Sequence, residues 1–203
     1  MVHGTYVLEV PGSRREIPYG IALVTPENYP KELPEMFCND PKLPIGNTDR
    51  HIAEDGKACL GVRAEIAMRW RSHPTILAFL ESFVAPFLAW QFYYDVFKQP
   101  PPWGARPHGL EGIIEFYREI LGMPSLSQDS VIGFMDLLAR KNNPKGHEVC
   151  PCGSGKKLRH CHAQLVYTLR LRLPGTDVAQ DMKAIFKIKE VRKKAVKASL
   201  PIR

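Results

Sequence analysis

The sequence predicts an α+β fold in which an antiparallel sheet near the N terminus is flanked by helices. A small Cys/His-rich module and a basic strand-helix tail follow that domain. Three observations support the prediction: two strand-like segments flank a Gly-Ser turn near the start of the chain, helical spacing dominates the middle, and three cysteines cluster near residue 150. We place the domain limits at 1–143, 144–164 and 165–203.

The sheet begins with a predicted hairpin. Thr5–Val10 and Ile17–Val24 have the composition of strands, and a Gly-Ser pair at 12–13 supplies the turn between them. A proline-rich segment follows, in which Met36–Cys38 is a candidate third strand. Residues 39–58 are polar and irregular, and a connection of that length predicts a functional loop.

Three helices are predicted after the loop. His73–Gln99 is apolar on nearly every face, which predicts a buried helix, and Pro86 should bend it. Gly109–Leu121 places several apolar side chains on one face. Gln128–Lys141 begins after Ser127, which is a suitable N-cap because its hydroxyl can accept a hydrogen bond from a free backbone amide.

The tail combines a predicted strand with a predicted helix. Leu165–Leu173 places leucine or tyrosine at every second position, which is typical of a strand, and Asp177–Ser199 has helical spacing with lysines opposite its apolar face. Residues 145–203 hold 14 Lys/Arg against 4 Asp/Glu, whereas residues 1–144 hold 14 against 17. The positive charge therefore belongs to the module and tail, which either bind an acidic partner or form a solvated face.

Composition predicts a cytoplasmic protein with no membrane partner. Hydrophobic content of 44% and charged content of 24% are ordinary for a globular chain. The N-terminal residues lack the apolar run of a secretory signal, and Ile76–Trp90 carries Glu81 and Pro86 and is too short to span a bilayer. Five cysteines, three of them with metal-ligand spacing, suit a reducing compartment better than a disulfide framework.

The cysteine cluster predicts a structural zinc site. Cys150, Cys152, Cys161 and His162 lie within thirteen residues, with a Gly-Ser-Gly turn after the second cysteine. Zn²⁺ favours thiolate and imidazole ligands in a closed tetrahedron, and this segment supplies all four. His160 competes with His162 as the fourth ligand, and we favour His162. The glycines suit the tight turn that such a loop requires.

The spacing C-x-C-x8-C-H with its internal GSGKK resembles the C-terminal zinc module of SecA, the SEC-C motif. The resemblance covers residues 147–163. It implies a bound Zn²⁺ and a docking role for the module.

A second motif centres on Cys59. His51 lies eight residues before Cys59 in a long polar loop, and Gly56 lies three residues before it. One cysteine with possible histidine or acid partners is a weak signal for nucleophilic catalysis, and a small buried apolar cysteine is the alternative. A further alternative is a redox or hydrolytic enzyme that uses Cys59 with His108, although His108 also suits a helix cap in an exposed loop.

The wider pattern resembles the ubiquitin-conjugating enzymes. A strand, a Y-P-x-x-x-P turn at 29–34, a second strand, a histidine and then G-x-x-C-L at 56–60 carry the resemblance, which covers residues 5–62. It implies an antiparallel sheet flanked by helices, with Cys59 as the nucleophile that forms a thioester. His51 matches the histidine that opens the active-site loop of that family.

This chain departs from the family pattern at the residues expected to stabilise the oxyanion of the reaction. The family has His-Pro-Asn where this chain has His51-Ile52-Ala53, so another group must donate a hydrogen bond to developing negative charge. The candidates are His51, His108 and backbone amides near Cys59. Lys57, Arg63 and His51 are candidates for lowering the thiol pKa.

The variant is most similar to bacterial conjugating enzymes of short type II CBASS anti-phage operons. That resemblance implies a thioester between Cys59 and the C terminus of a cGAS-like nucleotidyltransferase, followed by transfer to a lysine-bearing target. The alternative is a catalytically inactive adaptor whose zinc module and basic tail bind a protein or nucleic acid. We rank nucleic acid below a protein partner for the tail.

Overall fold

The computed structural model describes residues 1–10, 15–103, 106–107 and 109–198, with side chains described as far as residue 190. The chain forms two compact units. The first comprises Met1–Gly61 and Arg69–His108, and the second comprises Val62–Met68 and Gly109–Arg203. The helix α1 (Arg63–Trp70) contributes residues to both.

A three-stranded antiparallel sheet lies in the first unit. Its strands are β1 (Val2–Glu9), β2 (Glu16–Val24) and β3 (Glu35–Cys38), in the order β1-β2-β3. Val2 lies opposite Leu23, and Ile21 lies opposite Cys38. The predicted hairpin and third strand are therefore present, whereas the predicted turn at Gly12-Ser13 lies outside the described residues.

The predicted helix 73–99 has a more complex form. It consists of α2 (Ile76–Phe79), a π-helical stretch (Leu80–Val84) and α3 (Ala85–Phe97). Thr75 caps its start, because its Oγ1 accepts a hydrogen bond from the Ala78 amide at 3.1 Å. Pro86 has no amide proton for an α-helical bond, and the wider π-helical turn ends two residues before it. The irregularity expected at the proline thus lies on its N-terminal side.

Two predictions about this helical segment are corrected. It is not buried on nearly every face, since Leu77 is 64% exposed and Phe97 56% exposed. Within the described residues, Ile76–Phe97 is also the one helical stretch long and apolar enough to cross a membrane, since it is 22 residues long and contains an 18-residue window with a mean hydropathy of 1.4. The prediction that this region is too short to span a bilayer is therefore wrong. A single such helix is weak evidence, because core helices meet the same criteria.

The second unit is helical. Besides the start of α1 it contains α4 (Leu110–Leu121), α5 (Gln128–Ala139), α6 (Ala163–Arg172) and α7 (Gly175–Ala198). One continuous core joins these elements, and its fully buried side chains include Ala64, Tyr117, Val131, Phe134, Met135, Leu158, Val166, Val178 and Ile185. Thus α4 and α5, which precede residue 143, share a core with segments that follow it. The predicted domain limits stay a prediction.

The predicted strand at Leu165–Leu173 is wrong, because these residues form α6. Its buried side chains are Val166, Leu169 and Leu173, which stand three and four residues apart and therefore share one helical face. Leu171, which the alternating pattern placed with the buried set, is 85% exposed. The tail is accordingly a pair of helices rather than a strand followed by a helix.

Two helix boundaries follow the sequence closely. The Ser127 hydroxyl caps α5 by accepting a hydrogen bond from the Ser130 amide at 3.1 Å, as predicted. Gly122, in the left-handed region at φ 67°, ends α4. In α7 the predicted apolar face is partly confirmed, since Val178 and Ile185 are buried but Phe186 is exposed. Met182 of the same face is partly buried against the core, and Val191 lies beyond the described side chains.

Candidate metal centre and nucleophile

Four side chains of the cysteine loop converge on one point. The Nδ1 of His162 lies 3.3 Å from the Sγ of Cys150 and 3.2 Å from that of Cys161, and the Sγ atoms of Cys152 and Cys161 are 3.5 Å apart. All four ligand atoms lie within 4.8 Å of one another. Ligands of a tetrahedral Zn²⁺ stand roughly 3.5–3.8 Å apart, given bonds of about 2.0–2.3 Å. The cluster therefore fits a zinc site.

The backbone of the loop explains how the ligands converge. The amide of Cys150 donates to the carbonyl of Lys156 at 2.9 Å, which closes a tight hairpin around the Gly-Ser-Gly turn. Gly153 and Gly155 have φ values of 83° and 70°, in the region where a side chain is strained. The expectation that this turn requires glycine is confirmed.

His162 rather than His160 joins the cluster. After the short 3₁₀ turn Leu158–His160, His162 directly precedes α6, and its ring lies edge-on to Phe134 at a centroid distance of 5.7 Å. His160 instead pairs with its neighbour Arg159, whose Nε lies 3.0 Å from the His160 Nε2. The preference for His162 thus agrees with the geometry.

The thiols of the cluster differ in acidity. Burial raises the pKa of Cys150 to about 11 and outweighs the hydrogen bond from the Cys152 amide. At Cys152 the same desolvation is overcome by hydrogen bonds from Ser154 and from the neighbouring thiols, which lower its pKa to about 6. Crowded thiols that share protons in this way are suited to binding a cation.

Cys59 lies at the open end of a hairpin that extends the sheet. Its amide donates to the carbonyl of His51 at 2.8 Å, and Ile52 forms a bridge with Ala58. The hairpin also pairs with β3, since the Ala58 amide donates to the Met36 carbonyl at 2.9 Å. The backbones of His51 and Cys59 are therefore neighbours in this hairpin, and the proposed roles of their side chains stay predictions.

Cys59 is an exposed residue, but its thiol is not acidic. The residue is exposed, whereas Cys38 is buried. Protein atoms crowd the Cys59 sulfur and raise its pKa above the ordinary value, and this effect exceeds the lowering by the Gly61 amide and by Lys57. Lys57, Arg63 and His51 are the candidates for lowering the pKa of this thiol, and of these Lys57 lowers it.

The remaining predicted site residues have different surroundings. The ring of His51 packs edge-on against Trp90 at a centroid distance of 5.5 Å. His108 lies outside the described residues. In the turn that carried the resemblance, Trp70 Nε1 donates to the Pro30 carbonyl at 2.9 Å, and the rings of Tyr29 and Trp70 are 6.0 Å apart.

Sequence reasoning missed a buried carboxylate in the second unit. Asp181 on α7 accepts hydrogen bonds from the Arg63 and Ala64 amides, at 3.2 and 3.1 Å, and so caps the N terminus of α1 from a distant part of the chain. The Tyr117 hydroxyl donates to the same carboxylate at 2.9 Å. Burial raises the pKa of Asp181 to about 6 despite these hydrogen bonds. A single aspartate in a basic helix gave no signal of this role.

Residues 148–164 match the family model for the SEC-C motif. The match covers the cysteine loop and does not extend to the rest of the chain. Neither the curated proteins nor the solved structures contain a match to this chain. The match, together with the Cys/His cluster, supports metal binding by the module.

Proposed function

We propose that this protein is an acyl transferase of the ubiquitin-conjugating type, with Cys59 as its nucleophile. The observation that carries the proposal is the exposed position of Cys59 at the end of a hairpin attached to β3. A sulfur in that position is within reach of the C-terminal tail of another protein. The antiparallel meander that precedes it is also what the resemblance implies for residues 5–62.

In the proposed reaction the Cys59 thiolate attacks the acyl carbon of an activated C terminus, and the activating group leaves. A lysine amine of the target then attacks the thioester, the amide forms and the thiolate is released. The proposed donor is the C terminus of a cGAS-like nucleotidyltransferase that another protein has activated. His51 and His108 stay candidates for stabilising the oxyanion.

The raised pKa of Cys59 adds a condition to this mechanism. Only the thiolate attacks, and a thiol with a pKa above the ordinary value is almost fully protonated at neutral pH. The bound partner must therefore supply a base or a positive charge close to the sulfur. We accordingly expect thioester formation to depend on contacts with the partner as well as on the residues of this chain.

The test is to incubate the protein with the activated partner and to look for an adduct that a reducing agent removes. The Cys59→Ala variant should form no adduct. Cys38→Ala is the matched control, because Cys38 is buried and should leave adduct formation unchanged. An adduct that persists in Cys59→Ala would refute the proposed role.

We further propose that the module binds structural Zn²⁺ and serves in docking. Binding energy at such a site is folding energy for the loop that supplies the ligands. A cytoplasmic, reducing location follows from the same proposal, because oxidation would join Cys152 to Cys161 across 3.5 Å and destroy the site. Elemental analysis of purified protein should give one Zn²⁺ per chain.

A binding module without catalysis is the second candidate. The observation that favours it is the basic surface around the metal cluster, where Lys156, Lys157 and Arg159 are exposed. Among the described residues these three have no acidic partner, whereas Arg140 pairs with Asp136 and Glu148. Unpaired cations at this density suit an anionic surface.

Binding measurements separate the two candidates. The double variant Lys156→Glu, Lys157→Glu should abolish binding to an anionic partner if the module is the function. Lys183→Glu, Lys187→Glu on α7 is the control with the same charge change, since both lysines are exposed. Steep weakening with salt would identify nucleic acid, because phosphate neutralisation releases counterions.

A further inference from the structure

Arg50 and Gln91 form a buried polar pair in the first unit that the proposed chemistry does not use. Arg50 is 7% exposed and Gln91 is fully buried. The Arg50 Nε donates to the Gln91 Oε1 at 2.7 Å, and the Gln91 Nε2 donates back to the Arg50 carbonyl at 2.7 Å. Two reciprocal bonds thus join the 3₁₀ turn Thr48–Arg50 to the middle of α3.

The surroundings of Arg50 account for the burial of its charge. Its guanidinium forms an ion pair with Asp95 at 2.9 Å and lies 4.5 Å from the centre of the Tyr94 ring. Its Nη2 also donates to the Gln91 carbonyl at 3.3 Å. A buried guanidinium is tolerated only when it has hydrogen-bonding partners, and here Gln91 and Asp95, one turn apart on α3, supply them.

A short path of backbone contacts leads from this pair to Cys59. Gln91 holds the carbonyl of Arg50, and the carbonyl of the next residue, His51, accepts the hydrogen bond from the Cys59 amide at 2.8 Å. His51 has a φ of 57°, which is costly for a residue other than glycine and persists only where neighbours impose it. The pair and the Trp90 ring contact supply that constraint.

We propose that Arg50 and Gln91 are positioning residues that hold the hairpin of Cys59 in its reactive conformation. They act through the backbone of residues 50 and 51 and do not touch the sulfur. The catalytic consequence rests on the proposed function, whereas the conformational part does not. Two measurements therefore test the parts separately.

The first measurement is amide hydrogen exchange by NMR. In Gln91→Glu the acceptor for Arg50 is retained but the donor to the Arg50 carbonyl is lost, so the Cys59 amide should exchange about tenfold faster or more. Amides of the β1–β2 ladder should keep their rates. An unchanged Cys59 rate, or equal acceleration throughout the sheet, would overturn the proposal.

Arg170→Met is the matched control variant. Arg170 also donates to backbone carbonyls, those of Leu137 and Leu138, but it belongs to the second unit. The substitution removes arginine hydrogen bonds similar to those of Arg50, but it leaves the Cys59 hairpin of the first unit unchanged. We expect it to leave the exchange rate of the Cys59 amide unchanged. A comparable acceleration in Arg170→Met would mean that the Gln91 effect is not local.

The second measurement compares two reactions of the same sulfur. In Gln91→Glu, alkylation of Cys59 by iodoacetamide should proceed at least as fast as in the wild type, because the thiol stays exposed. Thioester formation with the activated partner should be about ten- to a hundredfold slower, since it requires an oriented sulfur. Equal slowing of both reactions would contradict a positioning role. If the wild type forms no thioester, the proposed function fails, but the exchange result still stands.

Discussion

Gly133 on α5 lies directly against Pro151 of the cysteine loop, so that a Cβ at position 133 would stand 2.9 Å from the proline Cβ. Real Cβ atoms do not approach so closely, and the proline ring cannot rotate away. The absence of a side chain at position 133 therefore allows the metal cluster to pack on the helix that carries Phe134. The relationship joins the ligand loop to the core of the second unit.

Gly133→Ala should destabilise this packing. Alanine in a helix interior gains about 0.5–1 kcal/mol over glycine, but overpacking against a rigid neighbour costs about 1–3 kcal/mol. The cost of overpacking should exceed the gain in helix propensity, and the metal should therefore be released at a lower temperature than in the wild type. The Gly4→Ala variant is the control, since nothing lies within 4 Å of its added Cβ. Unaltered metal release in Gly133→Ala would show that the loop adapts freely.

The two histidines of the module provide a paired test of the ligand assignment. His162→Ala removes an atom of the cluster and should lose bound Zn²⁺ on purification, whereas His160→Ala should retain one equivalent. Both variants lose an imidazole within three residues of each other. Inductively coupled plasma mass spectrometry measures the metal content. Loss of metal in His160→Ala alone would reverse the assignment.

Asp181 should make the second unit more stable at mildly acidic pH. Its pKa in the folded state, about 6, exceeds the ordinary value, so the folded state binds the proton more tightly than the unfolded chain. The stabilisation that Asp181 contributes is complete below the pKa of the carboxyl in the unfolded chain, and it is lost as the pH rises through about 6. Between pH 8 and pH 5 the gain should be on the order of 1 kcal/mol.

Urea unfolding of the wild type and of Asp181→Asn at both pH values measures this contribution. Asparagine does not titrate in this range. The difference between the free energies of unfolding of the two proteins therefore removes the contributions of other titrating groups, including the metal ligands. A difference that does not change between pH 8 and pH 5 would mean that burial does not perturb this carboxylate.

The thiol reactivity of the isolated protein should be modest and pH-dependent. Because protein atoms raise the pKa of Cys59, its alkylation at pH 7 should be slower than that of an unstructured cysteine peptide, and the rate should continue to rise above pH 9. Cys38, whose pKa burial raises to about 12, should stay unmodified in the folded protein. Mass spectrometry of peptides after timed alkylation gives both rates.

The sheet and the ligand set could be predicted from the sequence because their signals are local. Short strand-like segments on either side of a turn mark the hairpin, and metal ligands within thirteen residues can converge without help from the rest of the chain. The same local rule failed at Leu165–Leu173, where positions 166, 169 and 173 satisfy a helical period that the leucine alternation concealed. Short apolar segments fit both periods, and only packing on the core decides between them.

The residues that hold the candidate nucleophile could not be predicted. Arg50 and Gln91 are 41 residues apart in sequence, and each alone is typical of an exposed surface. The same is true of Asp181, which reaches amides 117 and 118 residues away. Such pairs follow from tertiary packing, for which a single sequence carries no direct signal.

The most direct test of the central claim is the chemistry of the adduct in the Cys59→Ser variant. A serine at this position converts a thioester into an oxygen ester, which a reducing agent does not cleave. Intact-mass and peptide mass spectrometry of the mixture with activated partner should therefore find a reductant-resistant ester at residue 59, in place of the reductant-sensitive adduct of the wild type. An adduct attached elsewhere in the chain, or one unaffected by the substitution, would contradict the account.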